Sequence, residues 1–502
     1  MKGKDEGRNK HNLPEDRKIK LERIEDQGIN PYPHKYDRTH YSSDIKISYA
    51  HLEEGEEAHE GCVSIAGRLT RLNRMGKLTF GDITDGEGKI QVCFLKDELG
   101  SDYENIKHLD IGDIIGVGGS IFRSSKGEVT VKSREYELLS KSLRGLPEKF
   151  HGLKDAGMRY RHRCLDMIAN PSVIGTFRKR SSAIKAMRDF LDHEGFIEVE
   201  TPLIQPIYGG ASARPFKTYV NSLGEEHFLQ ISPELYLKRL MVGGMEKVYT
   251  ISKNFRNEGI DRTHNPEFTM MECYQAYSDY NDMMRLTEDI YSHIFNTVLG
   301  TTKISYNDKS LDFSPPWRKA SMYDLIKEVT GIHPDEVGED SLAKLLYDSG
   351  YSEDDCSGKT KGELAMKVFE DYVEGTLIQP TFVTDHPLES TPLCKPHRER
   401  PDLIERFEPF VCGYEIGNAY SELNDPVLQR KLLEQEEEKG RGGQEEYHQM
   451  DEDFMHAIEV GMPPAGGLGL GIDRMVMFLT GSSTIKDVVP FPMVKREYQE
   501  ND

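Results

Sequence analysis

The stretch NFRNEGIDRTHNPEFTMMECY, residues 254–274, lies between apolar segments yet interleaves Arg256, Glu258, Arg262, His264, Glu267 and Glu272 with Phe255, Phe268 and Tyr274. Successive side chains of a strand point to opposite sides, so a strand starting at Phe268 puts Phe268, Met270, Glu272 and Tyr274 on one face. Arg256 and Glu258 share a face in the same way in the strand before it. A hairpin turning through GIDRTHNPE then presents Arg, Glu, His and Phe together over one side of a sheet. A solvated hairpin has no use for Phe268 and Tyr274 among carboxylates, but alternation alone fits an ion-paired β-hairpin equally well.

Outward from the hairpin the chain reads as two textures. A helix from about 172 to 193 leads into GFIEVETPLI, after which helices alternate with antiparallel-looking strands: EHFLQIS, KVYTIS, EFTMMECYQAY, YEIGNAYSEL and finally GGLGLGIDRMVMFL. A polar helical insertion, about 321–376, interrupts them. The expectation for 172–502 is an α+β domain on a mainly antiparallel sheet. Residues 61–145 change to short alternating runs separated by Gly and Asp, five strands with a longer connection after the third, which suits an OB-fold β-barrel. Such barrels bind single-stranded nucleic acid or oligosaccharide, or are purely structural. Residues 146–171 read as a basic linker, and 1–60 as an N-terminal helical extension with a charged helix over 14–28. No repeat of 20 to 50 residues is evident.

At 502 residues the chain exceeds what one core supports. A net charge of −22 opposes a polyanionic partner, yet residues 61–180 hold about 21 Lys and Arg against 15 Asp and Glu, so this third is net positive. Its densest clusters are MRYRHRCLDM and FRKR. The seven cysteines are scattered, with no CxxC pair and no zinc-like Cys/His spacing, which fits a reducing cytoplasm. No apolar run is long enough for a membrane span and none follows the N-terminus, so a soluble, cytoplasmic protein without a membrane partner is expected.

No G-x-x-x-x-G-K-[ST] loop occurs, and GGLGLGID has the spacing G-x-G-x-G rather than G-x-G-x-x-G. A nucleotide must therefore be held by side chains, and Arg256, Arg474, His264 and Phe268 supply forked donors, an imidazole and a ring to lie against a base.

GFIEVETPLI, FRNEG with HNPEFTMME, and GLGLGIDRMVMF are similar, in this order and spacing, to motifs 1, 2 and 3 of the class II aminoacyl-tRNA synthetases. The barrel in front of them marks subclass IIb, which charges aspartate, asparagine and lysine. YGGASARPF, SPELYLKRL and NAYSELNDP resemble the lysyl-tRNA synthetases in particular, and the resemblance covers nearly the whole chain. It implies an enzyme that activates lysine with ATP to lysyl-adenylate and transfers lysine to the 3′ end of tRNA(Lys). Glu234 stands where aspartate- and asparagine-charging relatives usually present Gln. The alternatives are an aspartyl- or asparaginyl-type synthetase, or a synthetase-like tRNA-binding or regulatory protein without catalysis.

Carried over by residue, the resemblance implies that Arg256 and Arg474 are catalytic. Arg256 would grip the ATP α-phosphate and the amino-acid carboxylate, Glu258 would orient the adenine, and Phe268 would stack on it with Arg474 over the other face. His264, with Arg262, would steer the terminal phosphates, and Asn265 also falls in the ATP-binding motif. Glu408, Glu415 and Glu422 match carboxylates that hold magnesium, up to three ions per subunit in the family. For lysine it implies Gly210, Glu234 at the α-amino group, Arg256 and Asn418 at the carboxylate, Glu272, Tyr274 and Glu422 around the side-chain ammonium, and Tyr420 along the methylenes. Salt bridging to Lys238 and Arg239 is the alternative for these glutamates. On the barrel Phe80, Gln91 and Glu128 fall where the family reads a uridine-rich anticodon, with Arg71 and Arg74 flanking Asn73; Phe80 is otherwise a barrel core residue. Tyr414 stands where bacterial relatives often have Arg. Motif 1 implies a homodimer.

Overall fold

The computed structural model describes residues 13–59, 61–146, 153, 155–442 and 447–495. The chain divides into two compact units, Met1–Leu153 and Lys154–Asp502.

In the first unit β1 (Val63–Met75), β2 (Leu78–Thr84), β3 (Lys89–Leu95), β4 (Ile114–Arg123) and β5 (Val129–Ser140) close a barrel in the order β1-β2-β3-β5-β4. Alternate positions such as Ile65, Ile83, Val92, Phe94, Val117 and Val131 fill its interior. The β2–β3 turn is fixed by Asp85, which accepts from the backbone N–H of Glu87 and Gly88. The long third connection carries the helix Lys96–Leu99 and a 3-10 segment, Gly100–His108. This is the expected OB-fold order. The helix Glu15–Asp26 packs Ile24 into the same core and anchors Lys20 to Asp110 at 2.5 Å.

The second unit contains β6 (Ile197–Glu198), β7 (Ile204–Gln205), β8 (Lys217–Val220), β9 (Glu225–Leu229), β10 (Lys247–Phe255), β11 (Glu267–Ala276), β12 (Lys303–Tyr306), β13 (Lys309–Asp312), β14 (Arg318–Ser321), β15 (Thr381–Pro387), β16 (Leu403–Val411), β17 (Tyr414–Glu415), β18 (Gly417–Ser421) and β19 (Ala465–Gly471). Nine of them form one sheet, ordered β14-β15-β16-β18-β19-β11-β10-β6 with β17 added at β16. Only the outer pairs β14–β15 and β10–β6 are parallel. Helices Ser172–His193 and Tyr280–Leu299 cover one face, where Met187, Leu191, Ile294 and Phe295 meet Met271, Cys273, Leu468 and Leu470 of the central strands. Asp279 caps the second helix by accepting from the N–H groups of Asn281 and Asp282. The insertion, helices Met322–Thr330, Glu339–Asp348 and Lys361–Val368 among its elements, has a core of its own around Leu342, Leu346 and Leu364.

Two expectations need correction. Residues 147–152 and 154 of the expected linker lie outside the described residues, as do 1–12 of the extension, but from 155 on the linker is folded into the second unit. Its helices Ala156–Arg161 and Arg163–Ala169 bury Arg163, which donates to the carbonyls of Lys486, Val489 and Pro490 and pairs with Asp166, itself buried. A basic run read as a linker thus contains a buried tie to the turn at residues 486–490. The second correction is that Arg256 and Glu258 do not share a strand face. β10 ends at Phe255; Arg256 adds one more ladder bond, to the Pro266 carbonyl, and Glu258 lies in the exposed loop.

Three segments distant in sequence are clamped by one carboxylate. Asp473, on the helix Ile472–Thr480, accepts from Arg180 of the helix Ser172–His193 at 2.5 Å and from the Thr269 N–H of β11 at 2.8 Å, while Arg180 also reaches the Thr269 hydroxyl. Removing one partner of a buried ion pair strands the other, so Asp473→Ala should lower the stability of this unit by about 3–5 kcal/mol. Urea unfolding measures it, and an unchanged midpoint would remove the clamp from the account.

Candidate active site

The sheet's other face, opposite the two covering helices, is a cleft of about 380 Å³ floored by β11, β19, β18 and β16. β19 runs between β11 and β18 and lines the cleft with Gly467, Leu468, Gly469 and Gly471, of which the three glycines occupy the alternate positions on that face. A Cβ on Gly467 would lie 1.9 Å from Glu422 Oε1 and 2.6 Å from Tyr274 Cε1, and one on Gly469 3.1 Å from Met270 Cε. The G-x-G-x-G spacing is therefore strand alternation, with Leu468 and Leu470 in the core on the back. Bare backbone there lets the neighbouring strands lean long side chains over it.

One end of the cleft is acidic. Glu272, on the face that alternation predicts with Phe268, Met270 and Tyr274, is buried and accepts from the Ser232 hydroxyl at 3.1 Å and from Tyr274 at 3.4 Å. Burial, then the negative charge of Glu234, pushes its pKa up to about 8. Glu234 accepts from Lys238 at 2.6 Å and from the Tyr420 hydroxyl at 2.6 Å. Glu422 contacts the same Lys238 ammonium, yet neither of its oxygens receives a well-directed hydrogen bond. Burial and the negative Glu234 and Glu272 push Glu422 up, with Lys238 opposing. Pairing to Lys238 thus holds for Glu234 and Glu422, while Arg239 turns away to Asp453. Gly210 lies against Glu234 and Ser232, and Asn418 accepts from Arg406 through its Oδ1, leaving its amide N–H groups.

The other end is cationic with an aromatic floor. The Arg256 guanidinium lies 5.2 Å from the Phe268 ring centroid. His264 is tied by Asp261 at 2.7 Å and meets Arg474 at 3.3 Å through its other ring nitrogen. Arg474 bonds the Glu415 carbonyl, with the Glu415 carboxylate 3.6 Å away. Glu258 lines this end; Arg262 is exposed and does not. Asn265 lines it too, but its amide is spent on the Glu267 carbonyl and the Met493 N–H.

Removal from water and the neighbouring Glu408 raise the Glu415 carboxyl, against Arg474, while Glu408 is held by Arg406 at 2.5 Å. Glu374 of the insertion, pushed up to about 7 by burial and then by Glu370, Glu408 and Glu415, belongs to the same group. Among the described residues no three His, Cys, Asp or Glu side chains converge tightly enough to hold a metal by themselves. Glu422 is corrected here: its charged neighbours are Lys238, Glu234 and Glu272, so it belongs to the acidic end and not with Glu408 and Glu415.

Some site residues escaped the sequence reading. Arg406 shares a face of β16 by alternation with the already expected Glu408, a signal as good as the one used for β11, and Ser232 stands two residues before Glu234. Glu374 carries no local signal. Tyr414 packs its ring 6.5 Å from Phe478 and serves the core.

On the barrel, Phe80 is half-buried on β2 and outside the core, opposite Asn73 on β1 and Cys93 on β3. Gln91 accepts from Thr130, and Glu128 is exposed just before β5. Arg71 is held by Asp82 at 2.8 Å, and Arg74 donates to the carbonyls of Ile106 and Leu109.

Comparisons with known proteins agree on both units. The family described as tRNA synthetases class II (D, K and N) matches residues 155–495, and the OB-fold nucleic acid binding domain matches residues 63–139. A lysine–tRNA ligase of Syntrophomonas wolfei is 48% identical over 494 residues, 97% of this chain and 99% of that protein. Those of Clostridium novyi and Thermosipho africanus are 49% and 48% identical, over 96% of this chain and 94% and 95% of theirs.

The raised Glu272 makes stability depend on pH in a definite direction. In the unfolded chain a glutamate is charged above about 4.3, while in the folded protein Glu272 stays protonated up to about 8. Between these values the folded state binds the extra proton, so the contribution of Glu272 to stability falls as pH rises. Glu272→Gln should flatten the decline of ligand-free stability from pH 6 to 8 by up to about 1.4 kcal/mol per pH unit. Parallel slopes for wild type and variant in urea melts would show that Glu272 is already ionised.

Proposed function

The chain belongs to the class II tRNA synthetases of the aspartate, lysine and asparagine group, and we infer that it activates lysine with ATP and transfers it to tRNA(Lys). The observation that carries the choice of amino acid is the acidic end of the cleft. Glu234, Glu272 and Glu422 converge there, Glu272 and Glu422 with raised pKa values and Glu422 with undirected oxygens, and a side-chain ammonium supplies charge and donors to that group. A neutral or acidic side chain would bring no such donor and would leave the buried Glu422 oxygens without a directed partner.

The remaining roles are those the resemblance implies, and the positions of the residues in the cleft support them. Glu234 is assigned to the α-amino group, Arg256 and the Asn418 amide to the carboxylate, Gly210 to close backbone approach, and Tyr420 to the methylenes. Arg256, above Phe268, also reaches the α-phosphate of an ATP whose adenine is sandwiched between Phe268 and Arg474, with Glu258 at its edge and His264 towards the terminal phosphates. The lysine carboxylate then attacks the α-phosphorus in line, and a terminal ribose hydroxyl of tRNA takes the lysyl group. Neither step needs a protein nucleophile; positioning and charge neutralisation by Arg256 and Arg474 lower the barrier. Glu408 and Glu415, two repelling carboxylates beside the phosphate end, fit a hard cation that shares its ligands with phosphates, and magnesium bound there would neutralise the departing pyrophosphate.

The barrel is assigned to the anticodon, with Phe80 stacking on a base and Gln91 and Glu128 bonding base edges. A homodimer through motif 1 is supported by Ile197, Leu203 and Ile204, apolar side chains left exposed beside the helix Ser172–His193. A cytoplasmic setting is supported by seven cysteines that are all unpaired. Among the described residues no helix is long and apolar enough to cross a membrane.

Pyrophosphate exchange tested across amino acids should be stimulated by lysine and not by aspartate or asparagine. Arg256→Ala should abolish it, a loss of about 3–5 kcal/mol of transition-state stabilisation. Exchange driven equally well by aspartate, or a wild-type rate in the variant, would overturn the assignment. Phe80→Ala should leave exchange and melting near wild type while charging of tRNA(Lys) falls by roughly one to two orders of magnitude. Undiminished charging by the folded variant would remove the anticodon role.

A further inference from the structure

Lys238 is wholly buried and does not line the cleft; it stands behind the cleft wall. It lies one turn after Glu234 on the helix Glu234–Val242, and its ammonium is in ion-pair contact with both Glu234 and Glu422. Facing this pair from β11 are Glu272 and Tyr274, and from β18 Tyr420, whose ring centroid is 5.6 Å from the ammonium. Two loop residues approach as well. Burial lowers the pKa of His448 and raises that of Cys394, so both stay neutral. Arg256 acts on Glu272 from the far side.

Once lysine has displaced the protons of Glu272 and Glu422, the three carboxylates Glu234, Glu272 and Glu422 set against Lys238 and Arg256 leave one net negative charge. Lysine, with two ammonium groups and one carboxylate, brings one net positive charge. Without Lys238 the same wall would carry two negative charges against one. We propose that Lys238 is a positioning residue for substrate selection, whose ammonium fixes the separation of Glu234 and Glu422 from behind and cancels one carboxylate charge, so that the pocket matches an amino acid of single net positive charge. This rests on the lysine pocket assigned above.

The experiment replaces Lys238 by Met and, as a second variant in case the first fails to fold, by Gln. Lys238 opposes the raised pKa of Glu422, so once this buried cation is gone the Glu422 carboxyl holds its proton to higher pH, and docking lysine must displace it. Calorimetry at about pH 8 to 9 in buffers of different ionisation enthalpy should show lysine binding releasing more protons in the variant than in the wild type, by up to about one. The KM for lysine in pyrophosphate exchange should rise roughly tenfold or more and depend more steeply on pH, with kcat at saturating lysine retained. Damage to packing alone would raise KM without changing the proton count. A folded variant with the wild-type proton count and pH slope overturns the role of Lys238. A wild type that neither binds lysine nor uses it in exchange overturns the lysine reading itself, so the two failures are distinguishable.

Discussion

The centre of the larger sheet has to present bare backbone to its cleft, and much else in that unit answers this requirement. Glycine in a central strand weakens it, because no side chain packs on that face and the backbone gains freedom when unfolded. β19 compensates on its reverse side, where Leu468 and Leu470 are buried among Met271, Cys273 and the two covering helices. Its flanking strands are bonded along almost its whole length, Ala276 to Met270 on one side and Gly417 to Ser421 on the other. One face is thus given up to ligand while the other supplies cohesion. The Asp473 clamp begins two residues later, where the strand turns into its helix.

The same bare face explains how unlike groups share one cleft. With no side chains rising from β19, Glu272 and Tyr274 on one neighbour can approach Tyr420 and Glu422 on the other, while Arg256 and Phe268 occupy the far end of β11. Charge is sorted along the strand direction: carboxylates backed by a buried ammonium at one end, the Arg256 guanidinium over the Phe268 ring at the other. That order would suit a substrate pair with an ammonium tail at one end and a polyphosphate at the other.

Where a reading of the sequence succeeded, the constraint was local and periodic. Phe268, Met270, Glu272 and Tyr274 were placed on one face by alternation alone, and the OB-fold was read from five short alternating strands and one long connection after the third. It failed where partners come from afar. Nothing within ten residues of Arg163 announces that it bonds three carbonyls more than 300 positions later. Glu422 was given both to the lysine ammonium and, with Glu408 and Glu415, to magnesium, because motif spacing says which strand a residue is on but not which end of a cleft it faces. The Glu234–Lys238 spacing of four was visible, whereas the second contact of Lys238, to Glu422, depends on how the helix docks on the sheet.

The pairing of β11 with β19 has a temporal consequence. Met271 is bonded opposite Leu470, a separation on the order of 200 residues, so closing the ladder carries a large loop-closure entropy and follows the more local pairings. The β10–β11 hairpin and the insertion, with its separate core, can form early from near neighbours. The floor between them waits for the final stretch of the chain. During synthesis from the N-terminus the barrel is complete while the cleft still lacks its middle strand, and a nascent chain halted before residue 465 has half a pocket on either side of a gap.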